Sequence, residues 1–230
     1  MQYIKGLDAF DGRNQTAVTL GKFDGLHRGH QKLLNRIIKY AQKEDCDSVV
    51  CAFDMDRDCL MTNEERRAFL EDKVDYLIEI PFTREMMEME AEKFIDEILH
   101  KKLHASHIVV GTDFNFGHEK RGDHQMLEKY AAKYGYTVDV VEKAYYKDRE
   151  ISSTYIRELL LDGNVPLANE LLGYPYEITS VVEHGQQLGR TLGFPTMNLA
   201  PQEKKILPKY GVYACRVLVD GVWYGGVGNA

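Results

Sequence analysis

The chain has 230 residues, 44% of them hydrophobic, with 36 acidic against 29 basic side chains and a net charge of −7. That length and apolar fraction support one large domain or one domain plus part of another, and the acidic balance repels polyphosphate, which argues against a nucleic-acid partner. The first residues lack a basic-then-apolar signal layout and no uncharged apolar run nears the ~20 residues of a membrane span, so a cytoplasmic protein without a membrane partner is expected.

Thr16 to Gly21 reads as a buried strand, followed by a turn and an amphipathic helix whose Leu33, Leu34, Ile37, Ile38 and Ala41 share one face. Ser48 to Phe53 is the next apolar run. Thr62-Asn63-Glu64-Glu65 has the pattern of a capping box opening a second helix. Asp75 to Ile80 reads as a strand closed by Pro81, and residues 84–103 as one long helix. His107 to Gly111, 123–134 and Tyr136 to Val141 continue as strand, helix and strand. This βαβα rhythm predicts an α/β domain over 1–172, with a parallel sheet covered by helices on both faces. Ligands of such sheets bind beyond the C-terminal strand ends.

The pattern changes after Gly173-Tyr174-Pro175. Tyr176 to Val182 reads as a strand, Asp220-Gly221 as a hairpin turn between Val212–Val219 and Val222–Tyr224, and no helical period is visible. An incomplete all-β unit over 173–230 is expected, with too few strands to close a barrel. Cys46, Cys51, Cys59 and Cys215 form no C-x-x-C pair, which favours reduced thiols over a disulfide framework or a zinc site.

The chemistry is concentrated after the first strand, in Gly21-Lys22-Phe23-Asp24-Gly25-Leu26-His27-Arg28-Gly29-His30. A helix starting near Arg28 puts His27 and His30 on its first turn and on the same side. Unpaired N–H groups at a helix start attract phosphate, Gly25 and Gly29 permit close approach, and two imidazoles can donate to a phosphate gaining charge. No G-x-G-x-x-G, Walker A or H-E-x-x-H motif competes. Two helix-start histidines without a function remain the plain alternative.

The H-x-G-H run resembles the signature of the nucleotidylyltransferase superfamily. The longer string from Gly21 to Gln31 resembles the prokaryotic bifunctional riboflavin kinase/FMN adenylyltransferase (FAD synthetase) family. Three further runs carry the same resemblance: Val110-Gly111-Thr112-Asp113-Phe114-Asn115-Phe116-Gly117, Ile151-Ser152-Ser153-Thr154-Tyr155-Ile156-Arg157, and Gly189 to Asn198. It implies a Rossmann-like nucleotidylyltransferase domain followed by part of a riboflavin kinase β-barrel. In the first, Gly21, Phe23, Gly25, Gly29, Ser153 and Thr154 would bind ATP, with His27, His30 and Arg157 catalytic. Asp113, Phe114, Asn115 and Phe116 would bind the flavin. Gly193, Thr196 and Asn198 would serve ATP in the kinase part, Thr196 and Asn198 also holding Mg²⁺.

One run departs from the family. Where F-x-P-H-P is usual, this chain has Phe53-Asp54-Met55-Asp56-Arg57, with Arg57 as a replacement cation beside three aspartates. The implied reaction is in-line attack of the FMN phosphate on the α-phosphorus of ATP, giving FAD and pyrophosphate with Mg²⁺ bridging phosphate oxygens. Lys22, Arg28 and Lys32 are expected to make the local field positive. A sister nucleotidylyltransferase with another acceptor, and a flavin-nucleotide sensor without activity, are the rival readings. The family's kinase base is a glutamate downstream of Gly211-Val212-Tyr213, so the 230 residues as given are not expected to phosphorylate riboflavin themselves.

Overall fold

A computed structural model describes residues 1–54, 58–185, 188–191, 193–194 and 196–230, with only the backbone of Leu188 and Arg190. Arg57, and with it most of the departure at 53–57, falls outside the described residues, as do Leu192 and Pro195.

The elements run β1 (Gln2–Lys5), β2 (Thr16–Gly21), α1 (Arg28–Lys43), β3 (Asp47–Phe53), α2 (Asn63–Leu70), β4 (Tyr76–Ile80), α3 (Arg84–Glu88), α4 (Ala91–Lys93) with a π-helical continuation (Phe94–Lys102), and β5 (Ala105–Gly111). Then come β6 (Asn115–Phe116), β7 (Gly122–Asp123), α5 (His124–Tyr134), β8 (Thr137–Val141), β9 (Tyr145–Tyr146), β10 (Arg149–Glu150), α6 (Ser153–Leu161) and α7 (Val165–Leu172). The remainder holds β11 (Val182–Glu183), α8 (Leu188–Thr191), β12 (Asn198–Leu199), β13 (Val212–Val219) and β14 (Val222–Asn229).

Six strands form one sheet in the order β1-β4-β3-β2-β5-β8, every pair parallel. Both faces are covered, which is why these strands read as continuous apolar runs rather than alternating ones. Val18, Leu20, Val49, Cys51, Ile108 and Val110 face Phe94, Ile95, Leu99 and Leu127. Their sequence neighbours Ala17, Val50, Ala52 and Val109 face Leu34, Ile37 and Leu70 on the other side. A third cluster joins α6 and α7 to Leu60 and Ile206. The chain leaves β2 toward β3 on one side and reaches β5 on the other, so a crevice opens at the carboxyl end of β2.

The α/β layout and the β hairpin agree with the sequence, and the capping box at Thr62–Glu65 is formed reciprocally. Four elements differ. The edge strand β1, paired parallel to β4, was not marked in the sequence, where a four-residue run with one buried side chain carries too short an apolar signal. The helix expected over 84–103 breaks at Met89, whose carbonyl accepts from the His118 N–H (2.7 Å) instead of continuing the helix. Gly117 presses there, with a Cβ on it falling 2.7 Å from Ala91, and α3 buries no residue that would hold its register. The strand expected over Tyr176–Val182 shrinks to β11 because side chains take its amides: Tyr176 donates to Asn169 Oδ1 (2.8 Å) and Thr179 to Glu65 Oε1 (3.0 Å). A short helix, α8, stands where no helical period was visible. Among the described residues no helix is long and apolar enough to cross a membrane, and all four cysteines are free.

Candidate active site

A cleft of about 1440 Å³ lies over the carboxyl ends of the sheet. Gly21, Phe53, Pro81, Gly111 and Val141, at or just past the ends of five strands, contribute to its wall. It is larger than a typical single-ligand pocket of about 300–1,000 Å³, so two substrates fit side by side.

The turn between β2 and α1 is tightly wound. Phe23 (φ 47°) and Leu26 (φ 37°) hold left-handed backbone although both are fully buried, and Gly25 (φ 81°) has Leu60 Cδ1 2.9 Å from where a Cβ would lie. Such strain persists only when the surroundings over-determine it. They do: Gln31 Nε2 donates to the carbonyls of Leu26 (2.8 Å) and Leu172 (2.7 Å), and the Tyr174 hydroxyl to that of Gly25 (2.5 Å). Gly29 leaves room for the histidines, since a Cβ there would sit 3.1 Å from the His27 ring, a tight contact.

His27 is the N-cap of α1, its Nδ1 accepting from the His30 N–H (3.4 Å), and the two rings stack with centroids 3.7 Å apart. Nδ1 is thereby an acceptor, which leaves Nε2 as the protonated nitrogen of His27. Burial pushes His27 from 6.5 down to about 4, and pushes His30 well below its usual range, helped by its neighbour. Both are therefore neutral donors near pH 7. His30 Nδ1 is buried without a partner among the described residues, an orphan of the kind a bound ligand satisfies. Because the unfolded chain protonates these rings below about pH 6.5 and the folded one does not, stability held above that pH is lost as pH falls toward 4. His27 alone accounts for roughly 3 kcal/mol across that window. Urea unfolding at pH 7 and pH 5 is expected to show this slope, and His27→Gln to reduce it to the share that His30 keeps. A wild-type midpoint unchanged between those two pH values contradicts the burial.

Asp24 was not singled out in the sequence, yet it is the hub of the site. It is 3% exposed, and its Oδ1 accepts from the N–H groups of Leu60 (2.7 Å) and Met61 (3.3 Å). Oδ2 pairs with Arg157 at 2.5 Å. Arg157 is thus turned to the protein and does not line the cleft, whereas Ser153 and the exposed Thr154 do. The Ser153 hydroxyl donates to the Asp24 carbonyl (2.8 Å), tying the start of α6 to the turn. Two helix N-termini, those of α1 and α6, consequently border one cleft, the arrangement that receives phosphate oxygens.

The 112–117 loop forms the opposite wall. Asp113, Phe114, Asn115 and Phe116 all line the cleft. Phe114 and Phe116 stack at 5.6 Å, but Phe116 is buried against Phe94, so Phe114 offers the freer face. Lys143, also missed in the sequence, bridges Asp113 Oδ2 (3.0 Å) and Glu150 Oε2 (2.8 Å), joining this loop to the start of the Ile151–Arg157 run.

The expected positive field is only partly realised. Lys22 lines the cleft, whereas Arg28 does not and Lys32 donates to the carbonyls of Glu142 and Lys143. Arg66, on the cleft wall, is paired with Glu79 at 3.0 Å and also reaches the Lys22 carbonyl. The cleft wall carries the two neutral imidazoles together with Lys22, Lys120, Lys143, Lys204 and Lys205. Among the described residues no group of three or more His, Cys, Asp or Glu is placed to hold a metal ion. Gly193, Thr196 and Asn198 are exposed and lie outside the cleft, Asn198 pairing with Glu183 in the β11–β12 ladder.

Comparison with known proteins agrees along the chain. The FAD synthetase family matches residues 10–155 and the riboflavin kinase family residues 172–230. The bifunctional riboflavin kinase/FMN adenylyltransferase of Escherichia coli is 35% identical over 95% of this chain and 74% of its own length. The protein of the same description from Haemophilus influenzae is 36% identical over 100% of this chain and 78% of its own. A solved structure described as a macrolide-efflux protein from Streptococcus pneumoniae superposes with a TM-score of 0.88 at 30% identity, covering 99% of this chain and 78% of that one. With two family matches in the order of its two regions and relatives aligned over nearly its full length, the chain belongs to the bifunctional riboflavin kinase/FMN adenylyltransferase family.

Proposed function

We propose that residues 1–172 transfer AMP from ATP to FMN. The 5′-phosphate oxygen of FMN attacks the α-phosphorus of ATP, a new P–O–P bond forms, and pyrophosphate leaves as the opposite P–O bond breaks. The acceptor is already an anion, so no side chain need become a nucleophile, and the protein's work is positioning and charge stabilisation. The observation that carries this reading is the stacked His27–His30 pair at a helix N-terminus inside a cleft wide enough for two nucleotides.

In this reading the N-termini of α1 and α6, with Gly21, Phe23, Gly25, Gly29, Ser153 and Thr154, hold the triphosphate. His27 and His30 donate to oxygens that gain charge in the transition state. Arg157 supports them through Asp24. Phe114 receives the isoalloxazine face, with Asp113 and Asn115 at its polar edge and Phe116 bracing the loop. Mg²⁺ enters with ATP as part of the substrate; such an ion takes most of its ligands from phosphates and water.

Residues 173–230 belong to the riboflavin-phosphorylating half of the whole protein, where Gly193, Thr196 and Asn198 serve a second metal–nucleotide site. A hydroxyl and an amide oxygen are hard donors suited to Mg²⁺. Work in the reducing cytoplasm is part of the same proposal, supported by the four free thiols. Mixing the purified chain with FMN, ATP and Mg²⁺ and separating flavins by chromatography tests the proposal. FAD and pyrophosphate in equal amounts are expected; tight flavin binding with no FAD would favour a sensor.

A further inference from the structure

The kinase-like region returns to the adenylyltransferase cleft, where Lys204 and Lys205 are both among the lining residues, and Lys205 is the buried one. Lys205 is 3% exposed at its side chain, and it lines the cleft with Cys59 and Met61. An ammonium carries three donors and tolerates burial only when they are used. Here Nζ donates to the Leu60 carbonyl (2.7 Å) and to Glu65 Oε2 (2.6 Å), and lies 4.5 Å from the centre of the Tyr176 ring. Backbone bonds fasten the strap around it: Cys59 N–H to the Lys204 carbonyl (2.8 Å) and Ile206 N–H to the Cys59 carbonyl (3.0 Å).

Leu60 is thus held at both ends of its polar backbone. Its N–H is taken by Asp24 from the histidine turn, and its C=O by Lys205 from the kinase-like region. Each holder is itself half of a buried ion pair, Asp24 with Arg157 and Lys205 with Glu65. The neighbouring Leu60 side chain sits under Gly25, where it leaves no space for a Cβ. A shift of Leu60 would therefore disturb the turn that carries His27 and His30.

We infer that Lys205 is a positioning residue for adenylyl transfer: it fixes the Leu60 peptide, and through it Asp24 and the histidine turn, so that the cleft is complete only when the 202–206 strap is docked. This rests on the adenylyltransferase reading above. An ordinary buried ion pair would stabilise the fold without this directional effect, and the two roles separate experimentally.

Lys205→Met leaves Glu65 buried and unpaired, so it is expected to lower both the unfolding midpoint and kcat/KM for FAD formation, the latter tenfold or more. Lys205→Met combined with Glu65→Gln removes both charges and keeps the capping box, which accepts Gln as well as Glu, at the cost of the Thr179 N–H bond to Oε1 and of the partner of the Leu60 carbonyl. The double variant is expected to recover part of the midpoint but to remain at least fivefold low in kcat/KM, with Leu60 and Met61 amides exchanging at least tenfold faster. In the unmodified chain those two amides should exchange as slowly as the buried amides of β3, a measurement that needs no variant. Recovery of kcat/KM to within twofold in the double variant overturns the inference, and so does fast exchange of Leu60 in the unmodified chain. Absence of FAD synthesis by the unmodified chain would instead strike the adenylyltransferase reading, leaving the latch to be judged by exchange.

Discussion

His30→Ala is expected to lower kcat for FAD formation by 10²-fold or more, with little change in FMN affinity. Removing one preorganised donor aimed at developing charge costs about 10²–10³ in rate in enzymes that rely on such donors. His30 is the cleaner of the two positions, because His27 also caps α1 through its Nδ1, and losing a cap adds about 1 kcal/mol of instability. His27→Ala should match His30→Ala in rate and exceed it in loss of stability. The burial that keeps both rings neutral makes a further distinction. Gln, a neutral donor, should recover part of the rate at either position, while Lys, which brings a charge the site desolvates, should recover none. Steady-state kinetics with flavin titrations by fluorescence check this, and wild-type turnover in either alanine variant would remove the pair from the chemistry.

Arg157→Ala is expected to destabilise the chain by about 3 kcal/mol and to slow FAD formation together with it. Removing one partner of a buried ion pair strands the other charge, at a cost of about 3–5 kcal/mol. The lower end applies here because the Arg157 side chain keeps 18% of its exposure. Arg157→Lys should rescue only in part, since a point charge cannot reproduce the planar guanidinium. Asp24→Asn keeps an acceptor for Leu60 and Met61, so combining it with Arg157→Met should cost less than the two single changes added. Urea unfolding with matched assays decides the matter. An unchanged midpoint in Arg157→Ala would mean that the guanidinium serves the nucleotide and not the fold.

The difference between those two residues shows what the sequence could reveal. His27 and His30 were legible because their meaning is local: a strand, a glycine-bearing turn and a helix start fall within ten residues, and the spacing alone puts both rings on one turn. The place of Ser153 and Thr154 at a helix start on the cleft was legible for the same reason. Asp24 sat in the same string and was passed over, because its partners Leu60, Met61 and Arg157 lie 36, 37 and 133 positions away. A carboxylate in a turn read as receiving phosphate looks adverse until its charge is found to be spent on an arginine. Arg157 was read as a contact to the nucleotide, and its pairing with Asp24 was invisible for the same reason. Lys143 and Lys205 had no local pattern at all, and only the fold brings them to the cleft. In the secondary structure, the strands read as continuous apolar runs were found within two residues, because burial on both faces leaves a strong signal. The break at Met89 and the loss of the Tyr176–Val182 strand depend on His118, Asn169 and Glu65, none of which a window of sequence contains.

The hold of Lys205 on Leu60 spans 145 positions of chain, and that separation has a consequence for synthesis. A chain leaves the ribosome N-terminus first at about 5–20 residues per second. The histidine turn emerges early, and the strands of the parallel sheet can assemble before the kinase-like region has been translated. The Leu60 carbonyl receives its partner only after the strap has followed, roughly 7–29 s later at those rates. A nascent chain therefore displays the histidine pair for some time beside an unfinished wall, and the buried Lys205–Glu65 pair is among the last contacts the growing polypeptide acquires.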